Sequence, residues 1–122
     1  MTELRIELPW PDSRLSPNQR SDRMAQTKPR QAARNVGYVL AFEAKAKAKW
    51  QPPASGFVRI VYTFHPPNRI PRDLDNLHLS LKYCADGVAK ALQVDDAGWK
   101  DIRLIMGEPD KDKPRVVMEI GK

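Results

Sequence analysis

The segment FVRIVYTF, residues 57–64, constrains this chain more than any other. Its β-branched and aromatic residues follow Gly56 and stop at His65 and two prolines, which is the pattern of a buried strand. A buried strand needs neighbouring strands and a covering layer, so the rest of the chain must supply both. Leu4, Ile6 and Leu8 alternate with Arg5 and Glu7, predicting a half-buried strand over 3–8 that ends at Pro9 and Pro11. Ile102, Leu104 and Met106 alternate, as do Val116, Met118 and Ile120, and the polar EPDKDKP turn between them suggests a hairpin.

Two segments read as helices. Thr27 is a candidate N-cap with Pro29 in the first turn, and Ala33, Val36, Leu40 and Ala44 then share one side of a helix over 28–49, ended by Pro52 and Pro53. Leu77, Leu81, Cys84, Ala85, Val88 and Leu92 recur at spacings of three and four, predicting an amphipathic helix over 75–92. The order β-α-β-α-β-β predicts an α+β fold: one domain over 1–122, with a four-stranded mixed sheet and two main helices covering at least one face. Residues 12–26 are polar, Arg-rich and without period, and read as a basic loop or arm.

A length of 122 residues suits one core and excludes a multidomain machine. The single cysteine, Cys84, excludes an intrachain disulfide and a Cys-based zinc site, which points to a reducing compartment. Long apolar runs are missing and the start MTELRIELPW is no signal peptide, so the expectation is a soluble intracellular protein without membrane contact. The formal net charge is +6, and its distribution is uneven. From Arg14 to Arg34 lie Arg14, Arg20, Arg23, Lys28, Arg30 and Arg34 against Asp22 alone. From Asp73 to Asp96 lie Asp73, Asp75, Asp86, Asp95 and Asp96 against Lys82 and Lys90. Carboxylates beside a phosphate path oppose nucleic-acid binding unless a divalent cation converts them into phosphate binders. Charge alone leaves a second reading open, in which the acids are helix caps and solvated surface.

Chemistry concentrates in Arg72-Asp73-Leu74-Asp75-Asn76-Leu77, followed by Lys82, Asp86 and Asp95-Asp96. Asp73 and Asp75 lie where a loop enters the second helix, so either can cap it, and two carboxylates two residues apart in a turning backbone can converge on one metal. On a continuous helix at ~100° per residue, Asp75, Lys82 and Asp86 fall within about 20° of one stripe opposite the apolar one. Asp95 and Asp96 could rejoin the earlier acids only through tertiary packing. An EF-hand loop counted from Asp73 would need Gly and Glu where His78 and Cys84 stand, and no Gly-rich run ends in Gly-Lys-Ser/Thr, so neither that calcium site nor a nucleotide cofactor is expected. Cys84 lies on the apolar stripe, which favours core packing over covalent catalysis.

The string RDLDNL with a downstream lysine, an aspartate on the same helix and a closing Asp-Asp pair resembles the RusA-like Holliday junction resolvases. The LPWP that ends the first strand and the Ser16-Pro17-Asn18 triplet extend the likeness over most of the chain. The resemblance implies a homodimeric endodeoxyribonuclease of a bacterial or phage-infected cytoplasm that binds four-way DNA junctions in recombination and repair. It implies paired symmetrical cuts made with Mg²⁺, with Mn²⁺ able to substitute. By motif position it makes Asp73, Asp75 and Asp96 the metal-binding catalytic carboxylates, with Asp95 beside the last, and Lys82 the catalytic lysine. One departure concerns that lysine: some members carry it one turn after the second motif aspartate, where this chain has Leu79, and Lys82 lies a further turn on.

Arg14, Arg20, Arg23, Lys28, Arg30, Arg69 and Arg72 are candidate DNA-backbone contacts, the alternative for each being solvated charge. Trp10, Trp50 and Trp99 fall near element ends and read as packing residues, while His65 and His78 are not assigned to the site. The apolar surface of the first helix or of the second strand is the expected dimer interface. Two rival functions remain: a non-catalytic branched-DNA-binding module, and a metal-dependent nuclease acting on other DNA structures.

Overall fold

The computed structural model describes residues 2–17 and 24–121. Its elements are β1 (Leu4–Pro9), α1 (Thr27–Ala48), β2 (Val58–His65), α2 (Leu74–Ser80), α3 (Lys82–Leu92), β3 (Trp99–Met106) and β4 (Arg115–Gly121), with 3-10 turns at Ser13–Leu15 and Asp96–Gly98. They form the expected α+β domain with a four-stranded mixed sheet, in the order β1-β4-β2-β3. The triplet's Asn18 and the basic residues Arg20 and Arg23 lie outside the described residues.

The expected hairpin does not form. β4 inserts between β1 and β2, antiparallel to both, while β3 lies parallel to β2 at the sheet edge. Burial explains the exchange: Val116, Val117 and Met118 are consecutive buried residues, suited to a central strand, whereas Ile102, Ile105 and Met106 keep exposed surface. The connection after β3 is pinned by Gly107 N–H to the Phe64 carbonyl (2.8 Å) and Asp110 N–H to that of Pro66 (2.8 Å), so the chain passes the end of β2 and reverses into β4 on the far side of β2, not beside β3. β2-α2-α3-β3 is thus a parallel crossover. β2 has a strand on each side, so it offers no free edge to a second copy.

The helices cover one face, where Leu4, Ile6, Leu8, Val58, Ile60, Tyr62, Phe64, Val88 and Leu92 form the core. Gly37 and Gly87 let α1 and α3 approach: a Cβ on Gly37 would meet the Cys84 carbonyl, and one on Gly87 that of Arg34. α1 begins at Thr27 with Gln26 in the capping position and no side-chain cap there, in place of the expected Thr27 cap. The single helix expected over 75–92 is two helices separated at Leu81. Ser80 Oγ donates back to the Asn76 carbonyl (2.8 Å), a bond that bends helices, and Leu81 N–H is shared between the carbonyls of Leu77 and His78 (3.1 Å each). Among the described residues no helix is long and apolar enough to cross a membrane.

Candidate metal and nucleic-acid site

Arg72 builds the loop that presents the first acidic pair. Its guanidinium donates to the carbonyls of Asn68 (3.1 Å) and Ile70 (2.9 Å) and to Asn68 Oδ1 (2.7 Å), and lies over the Trp10 ring at 5.6 Å. Trp10 in turn packs edge-on against Phe64, so this loop sits at the Phe64 end of the sheet. Asp73 is the N-cap of α2, its Oδ1 accepting Asp75 N–H at 2.9 Å, and Asp75 projects exposed from the first turn. That end of α2 therefore offers one partly engaged and one open carboxylate.

His78, three residues after Asp75, stacks at a tilt on Tyr62 with centroids 5.6 Å apart. Burial pushes its pKa down, and the neighbouring Asp75 charge opposes that shift. It is the site neighbour that sequence reasoning set aside; its three-residue spacing from Asp75 was the available signal.

Asp95 and Asp96 stand elsewhere. Gly98 N–H donates to the Asp95 carbonyl (2.7 Å), and Gly98 is backed by the Gly56 carbonyl, just before Val58, which pairs with Trp99. The second acidic pair is therefore at the Val58 end of β2 and the first at the Phe64 end. Six strand steps separate those ends, about 20 Å. A hydrogen bond with the Asp95 side chain, then repulsion from Asp95 and Asp86, raises the Asp96 pKa. Lys82 and Asp86 belong to α3, so the Asp75–Lys82–Asp86 stripe expected on one helix is interrupted at Leu81; Lys82 is exposed at the first position of α3. Among the described residues no three His, Cys, Asp or Glu side chains stand together as a group able to hold a metal ion.

The cations divide by what already engages them. Arg14 chelates Asp12 (2.7 to 3.2 Å), and that hydrogen bonding holds the Asp12 carboxyl below its ordinary value. Arg72 is consumed by its own loop, and exposed Arg69 meets exposed Glu108 at 3.4 Å. Lys28 is exposed in the first turn of α1, while Arg30 and Arg34 each lie 4.9 Å from the centre of the Tyr83 ring. Cys84 is buried, and burial pushes its thiol up to about 12. Trp50 and Trp99 are buried, and Trp99 Nε1 donates to the Val94 carbonyl (3.2 Å), in line with packing roles.

A groove of about 1380 Å³ runs between β1 and α1, lined by Leu4, Ile6, Leu8, Val36, Leu40 and Phe42. It is predominantly apolar, and its lining includes neither acidic pair.

The arrangement defines a small α+β domain with a capped acidic loop at one end of a parallel crossover and a second acidic pair at the other. No family model matches the chain. An uncharacterized protein of Xylella fastidiosa (strain Temecula1 / ATCC 700964) is 34% identical over 106 residues, covering 84% of this chain and 67% of the relative. The chain belongs to the same family as that protein.

Proposed function

We propose that this chain is a RusA-like, Mg²⁺-dependent endodeoxyribonuclease that resolves four-way DNA junctions as a homodimer by paired, symmetrical cuts. The observation that carries the reading is the Arg72-stapled loop, which holds Asp73 and Asp75 together at the start of α2, on the same end of the sheet as Trp10. Mg²⁺ is commonly bound by one or two carboxylates together with substrate phosphates, and Asp73 with Asp75 fits that donor set. When bound, the ion supplies charge neutralisation at the scissile phosphate and acidification of an attacking water, with Mn²⁺ able to take its place. Asp73 does double duty, with Oδ1 fixing the helix start while Oδ2 is left for a cation. Lys82, exposed one residue beyond the α2–α3 break, offers positive charge to a developing phosphorane.

The placement of the two acidic pairs at opposite ends of β2, which lie about 20 Å apart, supports a role for a second copy. Among the described residues β3 is a free edge, with exposed Ile102, Ile105 and Met106. Antiparallel pairing of two β3 strands centred on Ile102 would oppose Asp101 of each chain to Arg103 of the other. It would also bring the Asp73–Asp75 end of one chain to the same end as the Asp95–Asp96 pair of the second. The test incubates a labelled four-way junction and a matching duplex with Mg²⁺, Mn²⁺ or EDTA, using wild type, Asp75→Asn and Ile102→Lys. Paired nicks in the junction alone, lost in EDTA and in Asp75→Asn while binding persists, are expected. Ile102→Lys should sediment as a monomer and cut poorly. Cutting by Asp75→Asn at the wild-type rate would sink the site assignment, and tight binding with no product in any metal would replace the enzyme by a binding module.

A further inference from the structure

Arg30 and Arg34 lie one helical turn apart on α1, and both guanidinium carbons are 4.9 Å from the centre of the Tyr83 ring on α3. Like charges at this spacing repel. The first turn of α1 carries Lys28 and no acidic residue, so Arg30, at the fourth position of the helix, also stands at the positive end of the helix dipole. Among the described residues neither arginine pairs with a carboxylate; Arg30 donates to Gln26 Oε1, and Arg34 has only the ring. Arg14 and Arg72, in contrast, each hydrogen-bond an oxygen of the fold, Arg14 at Asp12 and Arg72 at Asn68 and Ile70. Three unfavourable features therefore coincide at one spot, and each is relieved by an anion from outside.

Tyr83 explains how the pair is held without that anion. Its ring attracts both guanidiniums, and Arg30 Nε is left buried without a hydrogen-bond partner. The helices meet there because Gly87 lies against the Arg34 carbonyl. A small cleft lined by Trp10, Asp12, Pro29, Ala33, Leu81 and Cys84 includes chain neighbours of Arg30, Arg34 and Tyr83 together with Trp10, on which the Arg72 guanidinium lies. Planar, pre-oriented guanidiniums match the oxygens of a phosphodiester group better than a mobile lysine does.

We propose that Arg30 and Arg34, positioned by Tyr83, form a clamp for a backbone phosphate of nucleic acid. This rests on the nuclease reading for its choice of phosphodiester over other anions, and it adds Arg34 and Tyr83 to the contact surface. Tyr83 is a positioning residue that acts through the arginines.

The test measures junction and duplex binding by fluorescence anisotropy in EDTA over a range of salt, for wild type, Arg34→Gln, Tyr83→Phe and Tyr83→Leu. Arg34→Gln should lower the log-log salt slope by about one unit. Tyr83→Phe should retain wild-type affinity, and Tyr83→Leu should weaken binding and flatten the slope with the melting curve unchanged; if Tyr83→Leu fails to fold, Arg34→Gln alone decides. DNA binding by wild type with an unaltered slope in Arg34→Gln overturns the clamp and leaves the nuclease reading intact. Absence of DNA binding by wild type removes that reading, and inorganic phosphate followed by NMR at the arginine Nε–H groups then decides the clamp: shifts at Arg30 and Arg34 that vanish in Arg34→Gln sustain it, and none overturn it. Competition by polyglutamate equal to that by DNA would also overturn it, in favour of an acidic protein partner.

Discussion

Replacing Arg72 by Gln separates two roles that a loop arginine beside an acidic motif can have. The side chain makes three hydrogen bonds to residues 68–70 and one ring contact with Trp10. Hydrogen bonds from a charged donor contribute about 1.5–3 kcal/mol each when buried, and a cation–π contact about 0.5–1 kcal/mol at exposed sites. The guanidinium is only part-buried and the three bonds share one rotamer, so the loss should be about 2 kcal/mol of local loop stability. Local opening should then rise by about 10- to 30-fold. Hydrogen exchange reads this at Ile70 N–H, which donates to Asn68 Oδ1 (3.1 Å), and at Asp75 N–H, which donates to Asp73 Oδ1. Because the donors are spent inside the protein, the salt slope of DNA binding should stay as in wild type. Unchanged exchange at Ile70 and Asp75, with a slope smaller by about one unit, would refute the staple and return Arg72 to the role of a phosphate contact.

Two further predictions concern the helix layer. Gly87→Ala forces a Cβ into the Arg34 carbonyl, a backbone atom that cannot rotate away, so the urea midpoint should fall by the equivalent of at least ~2 kcal/mol; unchanged stability would mean that the α1–α3 crossing is looser than described. Cys84 is buried and its thiol stands at about 12 against an ordinary 9.0, so the neutral form is the one the fold favours. The stability it lends is fully present below pH 9 and is lost as pH rises towards 12. Native protein at pH 8 should leave a thiol reagent unreacted, with rapid labelling only in denaturant; fast native labelling would contradict the burial.

Alternation and helical spacing were sufficient to find the strands and the helical regions, because each reports which face of an element is buried. Strand partners were not legible. Val116, Met118 and Ile120 alternate as an edge strand would, and only burial of Val117 on the opposite side reveals a central position. The helix break was equally hidden, since it depends on the Ser80 hydroxyl bonding to its own backbone. At the candidate site, either Asp73 or Asp75 could have capped the helix, and the structure makes Asp73 the cap. The engagement of Arg14 and Arg72 did not, because a guanidinium that serves a loop and one that awaits a phosphate look alike in composition.

The position of Asp95 and Asp96 ties these points together. Had β3 and β4 formed a hairpin, β3 would have been free of the constraint to run parallel to β2, and the turn before it could have lain at either end of the sheet. Parallel pairing removes that freedom: a crossover that leaves β2 at the Phe64 end must bring the chain back to the Val58 end before β3 can start. The acidic residues at the start and finish of the crossover are therefore held apart by the length of the strand itself. No side-chain rotation can close such a distance, so a metal shared between the two pairs would require a second chain running in the opposite direction. In the proposed homodimer, antiparallel pairing at the edge strand β3 would meet that requirement.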